Sequence, residues 1–327
     1  MADVARLAGV SHQTVSRVVN GHPSVHPATR SRVERAISQL GYRRNPAARA
    51  LVTRRTGTIG VISVDTANYG PASTLFGIEE AARAFGHFVS FVSLRVVDRQ
   101  HMRDALDHLM TANVDGIVVI APIRAAVDSV AGIPADLPVL VVGEPASGAE
   151  VSVGIDQEYG ARLATRHLLD LGHRTVHHVR GPHDWLEAEA RVRGWQAELS
   201  SRGAQALPCP LGDWSPKSGH AAGRALAADP AVTAVFVAND QMAMGVLAAF
   251  HEAGRSVPAD VSVVGFDDIP GAAYLRPGLT TIRQDFAEVG RRCMEHLLAR
   301  MHGGTPERGG VVLPELVVRG STAPPLA

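Results

Sequence analysis

Residues 3–21, Asp3-Val4-Ala5-Arg6-Leu7-Ala8-Gly9-Val10-Ser11-His12-Gln13-Thr14-Val15-Ser16-Arg17-Val18-Val19-Asn20-Gly21, decide how the rest of the chain is read. Asp3 to Ala8 spell a short helix broken at Gly9, and Ser11 is a good N-cap for a second helix running to Asn20 before Gly21. In that second helix Val15, Val18 and Val19 fall at helical spacing on one face, while His12, Gln13, Thr14, Ser16 and Arg17 fall largely on the other. A face so rich in hydrogen-bonding groups suits the major groove of DNA, where Gln pairs with adenine edges, Arg with guanine, and Ser or Thr with phosphates. An ordinary solvated polar face has the same composition. A third helix, from about Pro27 to Leu40, has Pro27 in its first turn, Val33, Ile37 and Leu40 as its apolar stripe and Gly41 as terminator.

Charge points the same way. The 327 residues carry 32 basic and 32 acidic side chains, yet residues 1–56 hold ten arginines against only Asp3 and Glu34. That segment is +8 and the remainder −8, so a small cationic module is joined to a larger acidic body. The natural partner of a compact basic module is a polyanion, and nucleic acid is the first candidate.

Other classes are excluded by what is missing. No window approaches the roughly 20 apolar residues of a membrane helix, and the first 30 residues carry Asp3, Arg6, Arg17 and Arg30 without a signal peptide's apolar stretch. Cys209 and Cys293 lack CxxC spacing, which rules out a disulfide framework or a cysteine zinc knot. A soluble cytoplasmic protein is expected. GxSxG, GxxxxGK[ST], GxGxxG and HExxH do not occur, so no enzyme and no cofactor is expected. His173, His177, His178 and His183 cluster, but His177 and His178 are neighbours on a strand and point to opposite faces, against a metal site. Asp267 and Asp268 are adjacent and cannot flank a bond as a glycosidase pair must.

From Thr58 apolar runs alternate with helical stretches: 59–64, 88–93, 116–121, 138–142, 151–155, 175–179, 233–237, 261–266, 279–282 and 311–318. Such alternation predicts α/β architecture with doubly wound parallel sheets, and the remaining length holds two such units. Ligands in these folds bind at the carboxyl ends of the strands, so a cleft between the sheets is the expected pocket.

The string from Asp3 to Asn20, followed by Val25, Thr29-Arg30, Val33, Leu40-Gly41-Tyr42 and Asn45-Pro46, resembles the helix-turn-helix headpiece of the LacI/GalR family of bacterial transcription regulators. The resemblance implies operator contacts from Ser11, His12, Gln13, Thr14, Ser16, Arg17, Asn20 and Thr29, and a hinge helix at Pro46-Ala47-Ala48-Arg49-Ala50-Leu51 that folds on DNA. Ala48 and Leu51 would reach the minor groove, with Leu51 as the wedge; the run is Ala-rich but too short to be stable alone. His26 departs from the family by replacing the usual serine cap of the third helix.

The rest is similar to the family's periplasmic-binding-protein-like core. The resemblance implies a headpiece at 1–44, a hinge at 45–56 and a sugar-binding core at 57–327, whose chain crosses near 156, 284 and 313. One subdomain would comprise 57–155 and 285–313, the other 156–284 and 314–327. Carried over position by position, Arg191, Trp214, Asn239, Asp267, Gln284 and Phe286 would contact a small sugar, with Thr74 and Glu144 facing them from the first subdomain. The chemistry suits a sugar: a carboxylate accepts from adjacent hydroxyls, Arg and Asn donate in fixed directions, and an indole covers the C–H face of a pyranose. Trp195 reads as core and Arg193 as a surface charge. Gly143 stands where a galactoside-binding member carries an aspartate, which removes one hydroxyl partner.

The function so implied is a repressor of carbohydrate-utilisation genes that binds a pseudo-palindromic operator as a homodimer and is released by a sugar. The final Ser321 to Ala327 cannot make a tetramerising helical bundle. A corepressor-dependent regulator and a sugar-binding protein that does not bind DNA are the alternatives.

Overall fold

The computed structural model describes residues 1–19, 21–42, 55–64, 66–120, 122–130, 137–144, 152–304 and 310–326. Contacts divide the chain into two units, Met1–Thr56 and Gly57–Ala327. In the first, α1 (Ala2–Ala8), α2 (His12–Val19) and α3 (Pro27–Gln39) close around Val4, Ala5, Ala8, Val15, Val18, Val19, Val33 and Ala36. Gly9 turns the chain between α1 and α2 at φ +62°, a conformation that costs a residue with a Cβ, and its N–H bonds back to α1 carbonyls. Ser11 caps α2, accepting from Thr14 N–H at 3.1 Å. His26 precedes α3 without a side-chain cap bond. The expected stripe of α3 is corrected at one end: the helix stops at Gln39, Leu40 is 46% exposed, and Ala36 is buried beside Val33 instead.

The second unit holds two sheets. β1 (Thr58–Val64), β2 (Phe88–Leu94), β3 (Gly116–Ile120), β4 (Val139–Val142), β5 (Ser152–Ile155) and β10 (Gly310–Val312) form a parallel sheet in the order β10-β5-β4-β3-β1-β2. Ile59 and Val61 of β1 pack toward α4 (Tyr69–Ala84) and α11 (Phe286–Met301), and Ile62 and Val64 toward α5 (Arg99–Thr111) and α6 (Arg124–Val130) on the other face. Burial on both faces explains why this strand reads as a continuous apolar run rather than an alternating one.

The other sheet pairs β6 (His177–Val179), β7 (Ala234–Val237) and β8 (Ser262–Val264) in parallel. Single bridges at Val264–Thr280 and Asp267–Arg283 carry it on to β9 (Thr281–Arg283), against which β11 (Glu315–Val317) runs antiparallel. Its faces are covered by α7 (Gln157–Asp170) with α8 (Leu186–Ser201) and by α9 (Pro216–Ala227) with α10 (Asp240–Glu252). The apolar run 311–318, read as one strand from the sequence, is two strands in different sheets. Pro314 lies between them, and a residue without an N–H cannot continue a ladder.

The chain passes between the sheets after β5, between β9 and α11, and between β10 and β11. The halves also touch away from these passages, where Ile123 bridges Trp185 and Leu186 N–H donates to Pro122 C=O at 2.8 Å. Among the described residues no helix is long and apolar enough to cross a membrane.

Candidate functional site

On the first unit, His12, Gln13 and Arg17 project from α2 into solvent, while Thr14 and Ser16 are half-buried. Val15, Val18 and Val19 hold the opposite face in the core, so the polar face has a fixed direction. Ser11 carries a second duty: besides capping α2, its hydroxyl lies 2.9 Å from that of Thr14. Thr29 is half-buried in α3. Asn20, Ala48 and Leu51 lie outside the described residues, as does most of the hinge segment.

In the second unit the ends of the strands and the passages between sheets bring together residues distant in sequence. Arg191, on α8, donates from Nε to Gln157 Oε1 at 2.9 Å. Gln157 Nε2 donates to Gln284 Oε1 at 2.9 Å, and Gln284 Nε2 donates to Asp267 Oδ1 at 2.7 Å. Asp267 Oδ1 stands 3.9 Å from Arg191 Nη2, which closes the circuit. Arg191 Nη1 donates to the carbonyl of Ala238, and the guanidinium lies 3.8 Å from the ring centre of Phe266. All four members of the circuit are buried. Such a network is rigid because moving one side chain breaks bonds at two others.

Burial sets the electrostatics. It pushes the Asp267 carboxyl well above the usual range, opposed chiefly by Arg191, and lowers the Arg191 pKa against the pull of Asp267 and Glu187. Glu187 lies one turn before Arg191, 4.0 Å from its Nη2, and burial raises its carboxyl too. Behind Asp267, Asp240 accepts from Thr281 Oγ1 at 2.6 Å and from Ile269 N–H at 2.9 Å; burial pushes it up to about 7. Asp268 turns the other way, bonding Arg283 at 2.7 Å and Arg319 at 2.6 Å. The adjacent pair Asp267-Asp268 is thus split between the circuit and a salt-bridge network.

The remaining residues expected at a ligand are held by their own backbone contacts. Asn239 caps α10 through Oδ1 on Met242 N–H at 2.9 Å, and its Nδ2 donates to the Trp214 carbonyl at 3.2 Å. That bond steadies Trp214 at φ +71°. The Trp214 ring packs edge-on to Trp185 at 5.3 Å, and a Cβ on Gly181 would strike it at 2.2 Å. The indole is buried, yet its N–H has no partner among the described residues. Thr74 spends its hydroxyl hydrogen on Gly70 C=O at 2.9 Å within α4. Phe286 packs edge-on against Tyr69 at 5.9 Å. Glu144 is half-buried, burial pushing its carboxyl up to about 7, and it lines a cavity of about 560 Å³ beside Asp156, Tyr159, Arg162 and Arg193. Of the expected ligand contacts only Glu144 borders that cavity; Arg191, Asp267 and Gln284 do not. We take the Arg191–Asp267 circuit as the better site, since fixed buried charges, rather than volume, orient a polar ligand.

Three members of this neighbourhood escaped sequence reading: Gln157, Glu187 and Tyr69. Glu187 left a trace, the four-residue helical step to Arg191. Gln157 left none, since its partner Gln284 is 127 positions away. Tyr69 faces Asp267, Asp268 and Asp240, which help burial to raise its pKa. Trp195 is core, its indole donating to Val176 C=O at 2.8 Å, and Arg193 is an exposed charge 3.3 Å from Glu158, both as read from the sequence. The clustered histidines go separate ways: His173 bonds Thr233 at 3.0 Å, whereas His178 is buried against Phe236 at 4.6 Å.

Comparison with known proteins agrees with both units. A profile for bacterial regulatory proteins of the lacI family matches residues 1–45, and one for a periplasmic binding protein-like domain matches residues 165–322. The lactose operon repressor of Escherichia coli K12 is 34% identical over 98% of this chain and 89% of its own. The HTH-type transcriptional regulator CelR of Thermobifida fusca is 34% identical over 97% and 96%. Among solved structures, a lac repressor dimer bound to operator and the anti-inducer ONPF superposes with a TM-score of 0.86 at 33% identity, covering 98% of both chains. A CelR–cellobiose complex superposes at 0.74 with 32% identity, again over 98% of both. With identity of this order running through the head and the two-sheet core alike, the chain belongs to the LacI family of bacterial regulatory proteins.

Proposed function

We propose that this protein is a transcriptional repressor of carbohydrate-utilisation genes, not an enzyme, and that it works in the cytoplasm. A homodimer binds a pseudo-palindromic operator through residues 1–44, with Gln13, His12 and Arg17 reading bases and Ser11, Thr14, Ser16, Asn20 and Thr29 supporting them. Ala48 and Leu51 of the 45–56 hinge enter the minor groove. Two features support dimerisation: Phe76, Phe88 and Phe91 are exposed on α4 and the edge strand β2, and Met244 and Tyr274 are exposed in the other half. Where exposed apolar groups lie together they mark interaction surfaces, and a dimer seam over α4 and β2 would cover Phe76, Phe88 and Phe91.

A small sugar binds between two halves of 57–327, one of 57–155 with 285–313 and the other of 156–284 with 314–327, a division that the strand pairing supports. Asp267 accepts from hydroxyls, Arg191 and Asn239 donate, Trp214 covers an apolar face, and Glu144 reaches from the opposite half. The observation that carries this reading is the circuit Arg191–Gln157–Gln284–Asp267. It ties the charged pair to Gln157 and Gln284, which sit where the chain passes between the sheets, so a ligand on the pair bears directly on those passages. Moving operator occupancy from nearly full to nearly empty requires differential binding of about 5.5 kcal/mol, which two sites per dimer share.

The test is a pair of titrations on Asp267→Ala. Operator fragments are selected from the source genome, and their binding is followed by fluorescence anisotropy against cellobiose and β-galactosides. The variant is expected to bind operator like the wild type and to ignore sugar. Full release at the wild-type sugar concentration removes Asp267 from the site.

A further inference from the structure

Two consecutive residues beside the circuit keep their backbone on the left-handed side, Asp267 at φ +118° and Asp268 at φ +53°. A residue with a Cβ rarely adopts such values, and two in a row persist only where the bonds around them over-determine the chain. At Asp267 the backbone N–H donates to Ile282 C=O at 2.8 Å. Beyond it the fixing comes from the Asp268 side chain, whose Oδ2 accepts from Arg283 Nε at 2.7 Å and whose Oδ1 accepts from Arg319 Nη2 at 2.6 Å. Both arginines are themselves placed. Arg283 ends β9, and Arg319, after β11, donates through Nη1 to Leu279 C=O at 2.7 Å and through its N–H to Thr280 Oγ1 at 2.9 Å. Burial raises the Asp268 carboxyl, but the two guanidinium groups outweigh it and hold the group below the usual carboxylate range, the reverse of Asp267 next door. The two aspartates also grip consecutive residues at the passage between the halves: Asp268 takes Arg283, and Asp267 takes Gln284 at 2.7 Å.

We propose that Asp268 is a positioning residue of the sugar site: its two ion pairs lock the 267–268 backbone in the left-handed conformation and so aim the Asp267 carboxyl at Gln284 and at the ligand. The inference rests on the reading of this cleft as the effector site. Asp268 itself touches no sugar; it acts through the direction it gives its neighbour. The charge-assisted bonds to Arg283 and Arg319 offset the backbone strain. Without them the segment relaxes toward ordinary negative φ, Asp267 swings off Gln284, and the circuit opens. Arg319 thereby gives the segment after β11 a part in sugar binding, although it meets only Asp268 and backbone or hydroxyl groups of β9 and the residues before it.

Sugar titrations of the full-length protein test the proposal, read by tryptophan fluorescence with cellobiose, lactose and methyl β-D-galactopyranoside as probes. Asp268→Ala, Asp268→Gly and Asp268→Asn all lose the charge, but glycine and asparagine tolerate left-handed backbone and alanine does not. Asp268→Ala is expected to weaken the best wild-type probe about thirtyfold, and the glycine and asparagine variants only about three- to tenfold. Equal losses in all three reduce Asp268 to an ion-pair partner, and no loss in Asp268→Ala leaves it without a role; either overturns the proposal. In Asp267→Asn protein, where no carboxylate remains to be aimed, Asp268→Ala is expected to cost less than about threefold more, and independent, multiplying losses overturn the proposal. Arg319→Gln removes one ion pair outside the cleft and decides the matter if Asp268→Ala does not fold: a loss of about threefold is expected, and unchanged affinity overturns the proposal. Operator binding without sugar is expected to stay within about threefold of the wild type in each variant that folds, and its collapse alongside sugar affinity makes the role merely structural. Asp267→Asn weakened beside an unaffected Asp268→Ala sinks the positioning role alone. If Asp267→Asn binds sugar like the wild type, or no probe quenches the signal or releases operator, the effector-site reading itself fails and this proposal with it.

Discussion

The polar face of α2 and the circuit around Arg191 are both built from polar side chains, but they are held in opposite ways. His12, Gln13 and Arg17 stand in solvent on one helix within six residues, each supported only by the valines beneath. Arg191, Gln157, Gln284 and Asp267 come from four elements or their ends, are buried, and hold one another through three hydrogen bonds. An exposed side chain exchanges partners with water at small cost, whereas a buried one that loses its partner keeps the desolvation penalty. Residues of the first kind act singly and can vary to suit a new DNA sequence. Residues of the second kind act as a unit.

The largest expected effect probes the buried region. Arg191→Ala leaves Asp267 and Glu187 without their shared cation and is expected to cost about 3–5 kcal/mol of stability by urea unfolding, the usual penalty for breaking a buried pair. A loss under about 1 kcal/mol would put this cluster on the same footing as an exposed ion pair and erase the contrast.

A somewhat smaller effect comes from acid. His178 is fully buried between aromatic rings, burial holding its pKa at about 3, and its Nδ1 lies 2.9 Å from Phe236 C=O. Its folded pKa is depressed, so between the ordinary histidine value and about 3 the unfolded chain binds the extra proton and stability drains away as pH falls. The neighbouring carboxyls with raised pKa values pull in the reverse direction, so the variant isolates the histidine. The stability advantage of the wild type over His178→Gln is expected to shrink by about 3 kcal/mol between pH ~7 and pH ~4. A constant difference would mean that water reaches this ring.

The sharpest version of the comparison is the smallest in energy. Gln13→Ala and Arg17→Ala are each expected to relax discrimination at one base pair by about 1–3 kcal/mol, and the double variant to lose the sum within about 0.5 kcal/mol. Gln157→Ala and Gln284→Ala, measured by sugar affinity and by unfolding, are expected to deviate from additivity by about 1 kcal/mol, because the second change finds the circuit already broken. Additivity in the cleft, or strong coupling on α2, would invert the picture.

Legibility in the sequence followed the same divide. Helical spacing of Val15, Val18 and Val19, the cap at Ser11 and the break at Gly9 are local, and the structure has all of them. Leu40 was misplaced because periodicity says which face a residue lies on and not where the helix ends. In the core, the alternation of apolar runs and helical stretches announced parallel α/β units, but a run such as 311–318 looks like one strand until its two ends are assigned to different sheets. The family motifs named Arg191, Asn239 and Asp267, yet not that Asn239 is a helix cap or that Arg191 and Asp267, besides facing each other, are tied through two glutamines.

By itself, then, the sequence determined the elements, the cationic head, the acidic body and the family, since each depends on neighbours within a few helical turns or on composition. The tertiary structure alone decided which polar groups are dry and which face each other: Gln157 against Gln284, Glu187 against Arg191, Tyr69 toward Asp267. A side chain's pKa and its freedom to bond a ligand depend on burial and on partners brought in by chain passages more than a hundred residues apart. No local pattern carries that information.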